Sequence, residues 1–259
     1  MFLENLVLQI SLALTAIFAN MLSAFSGGGA GLVQLPVLIL IGLPFSKALA
    51  THKIASVALG CGASLRYIKE KNLSISLSLL ILACGLPGVF LGANLILYIP
   101  EQSATLSLGL LTVGLGIYSL KKPDLGTENI PINKNARDLL IGGLVLFAIG
   151  VLNGSLSSGT GLFVTLWLVK WFGLGFTNAI AHTLVLVGIF WNSSGALLLG
   201  LNGEIKWSWL PMLLGGSLIG GYLGSHLSLK TGNKLVKKAF ELISLTMGSL
   251  LFIKGIFTY

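Results

Sequence analysis

Between Glu4 and Lys47 the chain runs 42 residues without a single Asp, Glu, Lys or Arg. Windows equally free of these residues lie between Lys71 and Glu101, Asp138 and Lys170, Lys170 and Glu204, and Lys206 and Lys230. Each is apolar and long enough for at least one helix of the roughly 20 residues that cross a bilayer. In hydrocarbon the backbone must satisfy its own hydrogen bonds, which leaves helices or a closed barrel. The windows are continuously apolar and do not alternate, so a barrel is excluded. Only 9% of the 259 residues are charged and 54% are hydrophobic, against about 25% charged in an ordinary soluble domain. A soluble fold could not be covered with so few charges. The sequence therefore predicts an all-α integral membrane protein.

Ten apolar segments are expected, at 5–25, 29–42, 46–66, 73–98, 103–120, 138–153, 158–172, 178–200, 207–227 and 234–257. The second, sixth and seventh are short for a full span. Whether segments one and two, or six and seven, cross separately or form re-entrant hairpins stays open. The N-terminal stretch lacks a basic n-region and its apolar run is long, so it reads as a retained helix. Cys61 and Cys84 fall inside apolar runs and read as small buried hydrophobes.

A polar loop at 121–137 divides the chain, with residues 1–120 before it and 138–259 after. The two parts resemble each other. Gly29 and Gly31 match Gly159 and Gly161 at an offset of 130, and Gly42, Ala48 and Ala50 match Gly173, Ala179 and Ala181 at 131. Gly88 and Gly92 match Gly220 and Gly224 at 132. The loops near 66–71, 121–137 and 228–238 hold most of the Lys and Arg, which puts them on the cytoplasmic side of a cell membrane and both termini outside. The net charge of +8 then reports orientation, and no nucleic-acid partner is expected. Each half has an odd number of crossings, so the second half is expected to be inverted relative to the first, with broken helices at the Gly-rich motifs. Gly85, Gly88 and Gly92, like Gly216, Gly220 and Gly224, line one helix face and are assigned to close helix packing.

Two Gly-rich breaks precede apolar helices: Ser26, Gly27, Gly28, Gly29 and Gly31 in the first half, and Asn153, Ser157, Ser158, Gly159, Thr160 and Gly161 in the second. A helix beginning at each break presents a partially positive end and unpaired N–H groups, a site for an anion. The plainer alternative is a tight turn, which accounts for one break better than for two at corresponding positions. A polar cluster follows each break: Thr51, His52 and Lys53, then His182 and Thr183 with Asn192 beyond. Lys53 lies roughly 10 Å into its helix at about 1.5 Å per residue. It either faces a cavity and holds an anion or snorkels to the interface. His52 and His182 either bind the anion, relay protons or hydrogen-bond a neighbour. No Asp or Glu lies within a spanning segment away from its ends, and Glu241 reads as an interface residue. A cation substrate and a carboxylate proton relay therefore have no support. Neither HExxH, a P-loop nor a GxSxG elbow occurs, so no catalytic residue, metal ligand or cofactor is expected, and the chain is not read as an enzyme.

The stretch FSGGGAGLVQLPVLILIGLPFSKALATHK, residues 25–53, resembles the TauE/SafE family of sulfite and organosulfonate exporters, TSUP-type membrane transporters. Pro36, the run Gly42-Leu43-Pro44 and the string from Ala48 to Lys53 carry the resemblance, with His52 where Asn is more usual in the family. GVLNGSLSSGTGLF (150–163) resembles the family's second Gly-rich motif. The resemblance implies export of a sulfur oxyanion or organosulfonate such as sulfite, thiosulfate or sulfoacetate. The residues themselves imply a secondary transporter of a small anion, working by alternating access of two halves. An anion channel and a non-transporting membrane scaffold are the alternative readings. The expected partners are the anion and the lipid bilayer, with a proton or other coupling ion and a second copy of the chain, as a homodimer, left open.

Overall fold

Among the described residues each apolar window is largely helix, broken by short turns. The computed structural model describes residues 2–70, 73–95, 100–130, 135–157, 159–201 and 205–257, and among these there is no strand. The helices are α1 (Phe2–Ser26), α2 (Ala30–Leu40), α3 (Phe45–Tyr67), α4 (Ile75–Leu95), α5 (Glu101–Leu120) and α6 (Ala136–Ser155). Then come α7 (Thr160–Phe172), α8 (Phe176–His182), α9 (Asn192–Gly200), α10 (Leu210–Thr231) and α11 (Asn233–Phe257). A π-helical stretch, Thr183–Trp191, joins α8 to α9, making Phe176–Gly200 one rod of 25 residues.

Among the described residues five helices are long and apolar enough to cross a membrane: Leu6–Ser26, Ile75–Leu95, Ala136–Ser155, Phe176–Gly200 and Asn233–Phe257. With 11 and 13 residues, α2 and α7 reach only about 16 and 20 Å at 1.5 Å per residue, short of a hydrocarbon core about 30 Å thick. Local chemistry sets the helix ends. The Asn135 side chain accepts from the Asp138 N–H at 2.9 Å and caps α6, with Asp138 favourable in the first turn. Gly173 (φ 73) closes α7 and Gly232 (φ 76) closes α10, conformations that glycine enters freely.

Small residues bring the long helices together. A Cβ on Gly88 would stand 2.2 Å from the Phe147 carbonyl oxygen, and one on Gly92 2.0 Å from that of Val151. The same contact recurs between α10 and α1, where a Cβ on Gly220 would stand 2.4 Å from the Ile17 carbonyl oxygen and one on Gly224 2.2 Å from that of Met21. Backbone touches backbone in both pairs, and residue numbers rise together along each, so α4 runs parallel to α6 and α10 parallel to α1. Between α5 and α11, Gly109 and Gly248 make an equally close crossing.

Each short helix folds back along the long helix before it. Trp171 Nε1 on α7 donates to the Asp138 carbonyl at the start of α6. Residues 126–130 bind the α7–α8 break through Ile130 N–H to Gly173 O and Phe176 N–H to Gly126 O. Asn233, opening α11, ties in by donating to Thr127 O and accepting from Thr177 N–H. The pair α6–α7 thus enters and leaves at the end of the bundle where α10 finishes. The pair α1–α2 opens at the end where α10 begins: Leu12 of α1 shares an apolar cluster with Leu35, Leu38, Trp209 and Leu213, and Gln9 donates to Ser208 O.

Large apolar side chains such as Val7, Leu14, Leu110, Leu140, Leu144 and Leu242 cover the outside, facing lipid. Cys61, expected inside, is exposed on this apolar surface. Glu241, expected at the interface, is buried: it pairs with Lys237 one turn earlier and accepts from Ser119 Oγ at 2.9 Å. The α11 helix packs along α5 from its first turns, so the face bearing these two charges is enclosed.

Candidate functional site

Both short helices begin on a left-handed glycine. Gly29 (φ 95) precedes α2 and Gly159 (φ 74) precedes α7, and neither N-terminus has a side-chain cap. The first turn is built from backbone that glycine tolerates best, with Gly27 at φ 96 and Gly28 at φ 139, whereas the second also places Ser157 at φ 58. The first N–H groups of a helix have no partner within it, and the helix dipole gathers positive potential there.

The two turns meet. A Cβ on Gly28 would stand 2.6 Å from the Gly161 backbone, so any other residue there would push the helix starts apart. They share one cavity of about 40 Å³, room for about three waters or a small inorganic ion. Gly28, Gly29 and Gly31 line it from the first turn, and Gly159, Thr160 and Gly161 from the second. Around them stand His52 and Ser56 of α3, Asn153 and Ser157 flanking the second turn, Thr183 at the start of the π-helical stretch and Asn192 at the start of α9.

These side chains form a hydrogen-bonded wall. His52 Nδ1 contacts Gln34 Oε1 at 3.1 Å and Nε2 contacts Ser56 Oγ at 3.3 Å. The Gln34 oxygen can only accept, so Nδ1 carries the hydrogen. Asn153 donates to Thr160 Oγ1 at 2.9 Å, and Thr160 donates to the Ser157 carbonyl at 2.9 Å. Among the described residues Asn192 Oδ1 is buried with no hydrogen-bond partner, as are Gln34 Nε2 and Asn20 Oδ1.

Lys53 stands directly behind this wall. Its side chain is 0% exposed, so it does not snorkel. Its ammonium donates to the Asn153 carbonyl at 2.8 Å and approaches Asn153 Oδ1 at 3.5 Å. Among the described residues no carboxylate lies within ion-pair distance of it. Burial of a charge with only dipoles for company is costly, several kcal/mol in effective terms.

Four other residues singled out in the sequence lie away from the cavity. The Ser26 hydroxyl is turned back to Leu22 O and Gly28 O. Gly27 packs against Thr165 and Ile180. Thr51 donates to Lys47 O and accepts from the Lys206 N–H on the opposite face of α3. His182 accepts from the Ser74 N–H at 3.0 Å and bonds Asn178 O at 2.8 Å, which fixes the start of α4. Ser158 lies outside the described residues. Conversely, Ser23, Ser56 and Gly188 line the cavity without having been singled out. Ser56 follows His52 by one helical turn, a spacing that placed it on the same face. Ser23 and Gly188 carried no comparable signal. Among the described residues no cluster of three His, Cys, Asp or Glu exists to hold a metal ion.

A family described as sulfite exporter TauE/SafE matches residues 12–251. A probable membrane transporter protein, YfcA, of Escherichia coli strain K12 is 29% identical over 251 residues, 96% of this chain and 91% of that protein. A probable membrane transporter protein of Haemophilus influenzae strain Rd is 30% identical over 229 residues, 88% of each chain. In Bacillus subtilis the probable membrane transporter protein YdhB is 22% identical over 237 residues, 89% of this chain and 94% of that one. No solved structure matches.

Proposed function

Since the chain belongs to the sulfite exporter TauE/SafE family of multi-pass membrane transporters, we propose that it is a secondary transporter that exports a small sulfur oxyanion by alternating access. The observation that carries this reading is the meeting of two uncapped helix N-termini at one polar cavity beside the Lys53 ammonium. Amide N–H groups at helix ends and a buried cation both favour negative charge. The cavity of about 40 Å³ suits sulfite, with thiosulfate next and the longer sulfoacetate least.

In this mechanism the anion accepts from the N–H groups near Gly29–Gly31 and Thr160–Gly161, with the His52, Ser56, Thr183 and Asn192 side chains completing its shell. Lys53 balances its charge through Asn153. Residues 1–120 and 138–259 act as inverted halves, joined by the loop 121–137 on the cytoplasmic face of the cell membrane, and rock about the fixed site. The support for the inverted arrangement is that the open ends of the α1–α2 and α6–α7 hairpins lie at the two ends of α10.

The test uses purified protein in proteoliposomes. Saturable sulfite flux with accelerated counterflow is expected, along with a raised melting temperature in sulfite relative to acetate. Flux without counterflow would make the protein a channel. Absence of both flux and thermal stabilisation across sulfite, thiosulfate, sulfate and short sulfonates would end the proposal.

A further inference from the structure

A turn that binds an anion through its N–H groups must keep its carbonyl oxygens out of the way, because a carbonyl dipole facing the ion repels it. In the first turn, the Gly27 carbonyl accepts from Thr165 Oγ1 at 2.6 Å. Thr165 lies on α7, in the other half of the chain, and is fully buried. The same hydroxyl oxygen lies 2.9 Å from Thr183 Oγ1, which borders the cavity. A carbonyl cannot donate, so the single Thr165 hydrogen is committed to Gly27. The Thr165 oxygen is then an acceptor towards Thr183. The Thr183 hydroxyl also reaches Ala179 O at 3.0 Å, a carbonyl with a second partner available within its helix. The Thr183 hydrogen is thus shared between the Thr165 oxygen and Ala179 O.

We propose that Thr165 is a positioning residue for anion binding: it pins the Gly27 carbonyl away from the cavity and braces the Thr183 hydroxyl that borders it. It touches no substrate itself and acts through two groups, one from each half. The proximity is tight, since a Cβ on Gly27 would meet Thr165 Oγ1 at 2.9 Å. Loss of the hydroxyl leaves a buried carbonyl without this partner and weakens the hold on a peptide whose other side is bonded through Gly28 N–H to Ser23 O at 2.8 Å. The inference rests on the anion reading of this cavity and assigns to it a residue outside the lining.

The test is sulfite flux in proteoliposomes, read as KM and as maximal rate per folded protein, for the wild type, Thr165→Val, Thr165→Ser and Thr165→Cys. Thr165→Val keeps the shape and removes the donor, and is expected to raise KM about tenfold or more while the maximal rate holds. Thr165→Ser restores the hydroxyl and is expected to stay within about twofold of the wild type. An unchanged KM for Thr165→Val overturns the proposal, and so does equal loss in Thr165→Val and Thr165→Ser, which would assign the effect to the methyl group. If Thr165→Val does not fold, Thr165→Cys decides, because a thiol is a weak donor: a raised KM supports the proposal and a wild-type KM overturns it. A wild type that binds no sulfur oxyanion overturns the anion reading itself and this inference with it, a result visible in the wild-type trace alone.

Discussion

Lys53 is the residue whose position least resembles an accident. It sits in a membrane-spanning bundle, fully enclosed, bonded to the Asn153 backbone and lacking a carboxylate partner among the described residues. Charged groups at such depth are expensive and mark function. Lys53→Met keeps the packing against Gly195 and removes the charge. Loss of a charge-assisted interaction is worth about 1.5–3 kcal/mol, so sulfite affinity is expected to fall about tenfold to a hundredfold. The melting temperature of the ligand-free protein is expected to hold or rise, because an uncompensated buried charge has gone. Isothermal titration and a melting curve on the same preparation check both halves of this expectation. Undiminished sulfite affinity in a folded Lys53→Met protein would remove Lys53 from the site. The cluster of Thr51, His52 and Lys53 also shows how one turn of helix divides its duties. His52 lines the cavity and Lys53 stands behind it. Thr51, on the opposite face, holds the Lys206 N–H.

At the level of elements, the glycine stripes and the glycine turns do different jobs with the same residue. The stripes on α4 and α10 remove side chains so that whole helices touch, whereas Gly28 lets two helix starts touch at a point. Gly220→Leu places a side chain where the Ile17 carbonyl already stands at 2.4 Å from the Cβ position. It is expected to destabilise the α1–α10 contact by about 3 kcal/mol and to lower the yield of folded protein. Gly215→Leu, five residues earlier in α10 with nothing within 4 Å of its Cβ position, is the control and is expected to leave yield and melting temperature unchanged. Equal loss from both substitutions would contradict the packing assignment. The rod from Phe176 to Gly200 is helical by sequence, but its change to π geometry at Thr183–Trp191 has no local sequence signal. It coincides with the close approach of Gly188 to Gly60, where a Cβ on Gly60 would stand 2.8 Å from the Gly188 backbone.

For the molecule as a whole, orientation is the first question that a measurement can settle. The structure gathers the ends of α3, α7 and α10 with the central loop: Arg66 reaches His226 at 3.3 Å, and Asn233 reaches Thr127 at 2.9 Å. The ends of α3 and α10 and the central loop are the segments richest in Lys and Arg, so the positive-inside tendency acts on one coherent face. A cysteine substituted for Lys122, in a background where Cys61 and Cys84 are alanine, is expected to resist a membrane-impermeant maleimide applied to intact cells and to react once the cells are opened. Labelling in intact cells would invert the proposed orientation and turn the proposed exporter's path around.

What the sequence determined alone was everything governed by the surrounding solvent. Long uncharged runs cannot remain in water and cannot leave their backbones unpaired in lipid, so helices, their approximate limits and the membrane setting follow from residues 5–46 and the windows like it. The glycines at 27–29 and 159 likewise marked two breaks, because no other residue enters their left-handed backbone conformations so readily. The tertiary structure decided which side chains share a cavity. His52 and His182 looked like counterparts, yet one lines the cavity while the other holds the Ser74 N–H. Thr165, an unremarked residue in an apolar helix, proved to clasp the turn at Gly27. A helix offers several faces, and the one that turns inward is fixed only by the helix packed against it, a contact 100 or more residues away in the chain for pairs such as Lys53 with Asn153.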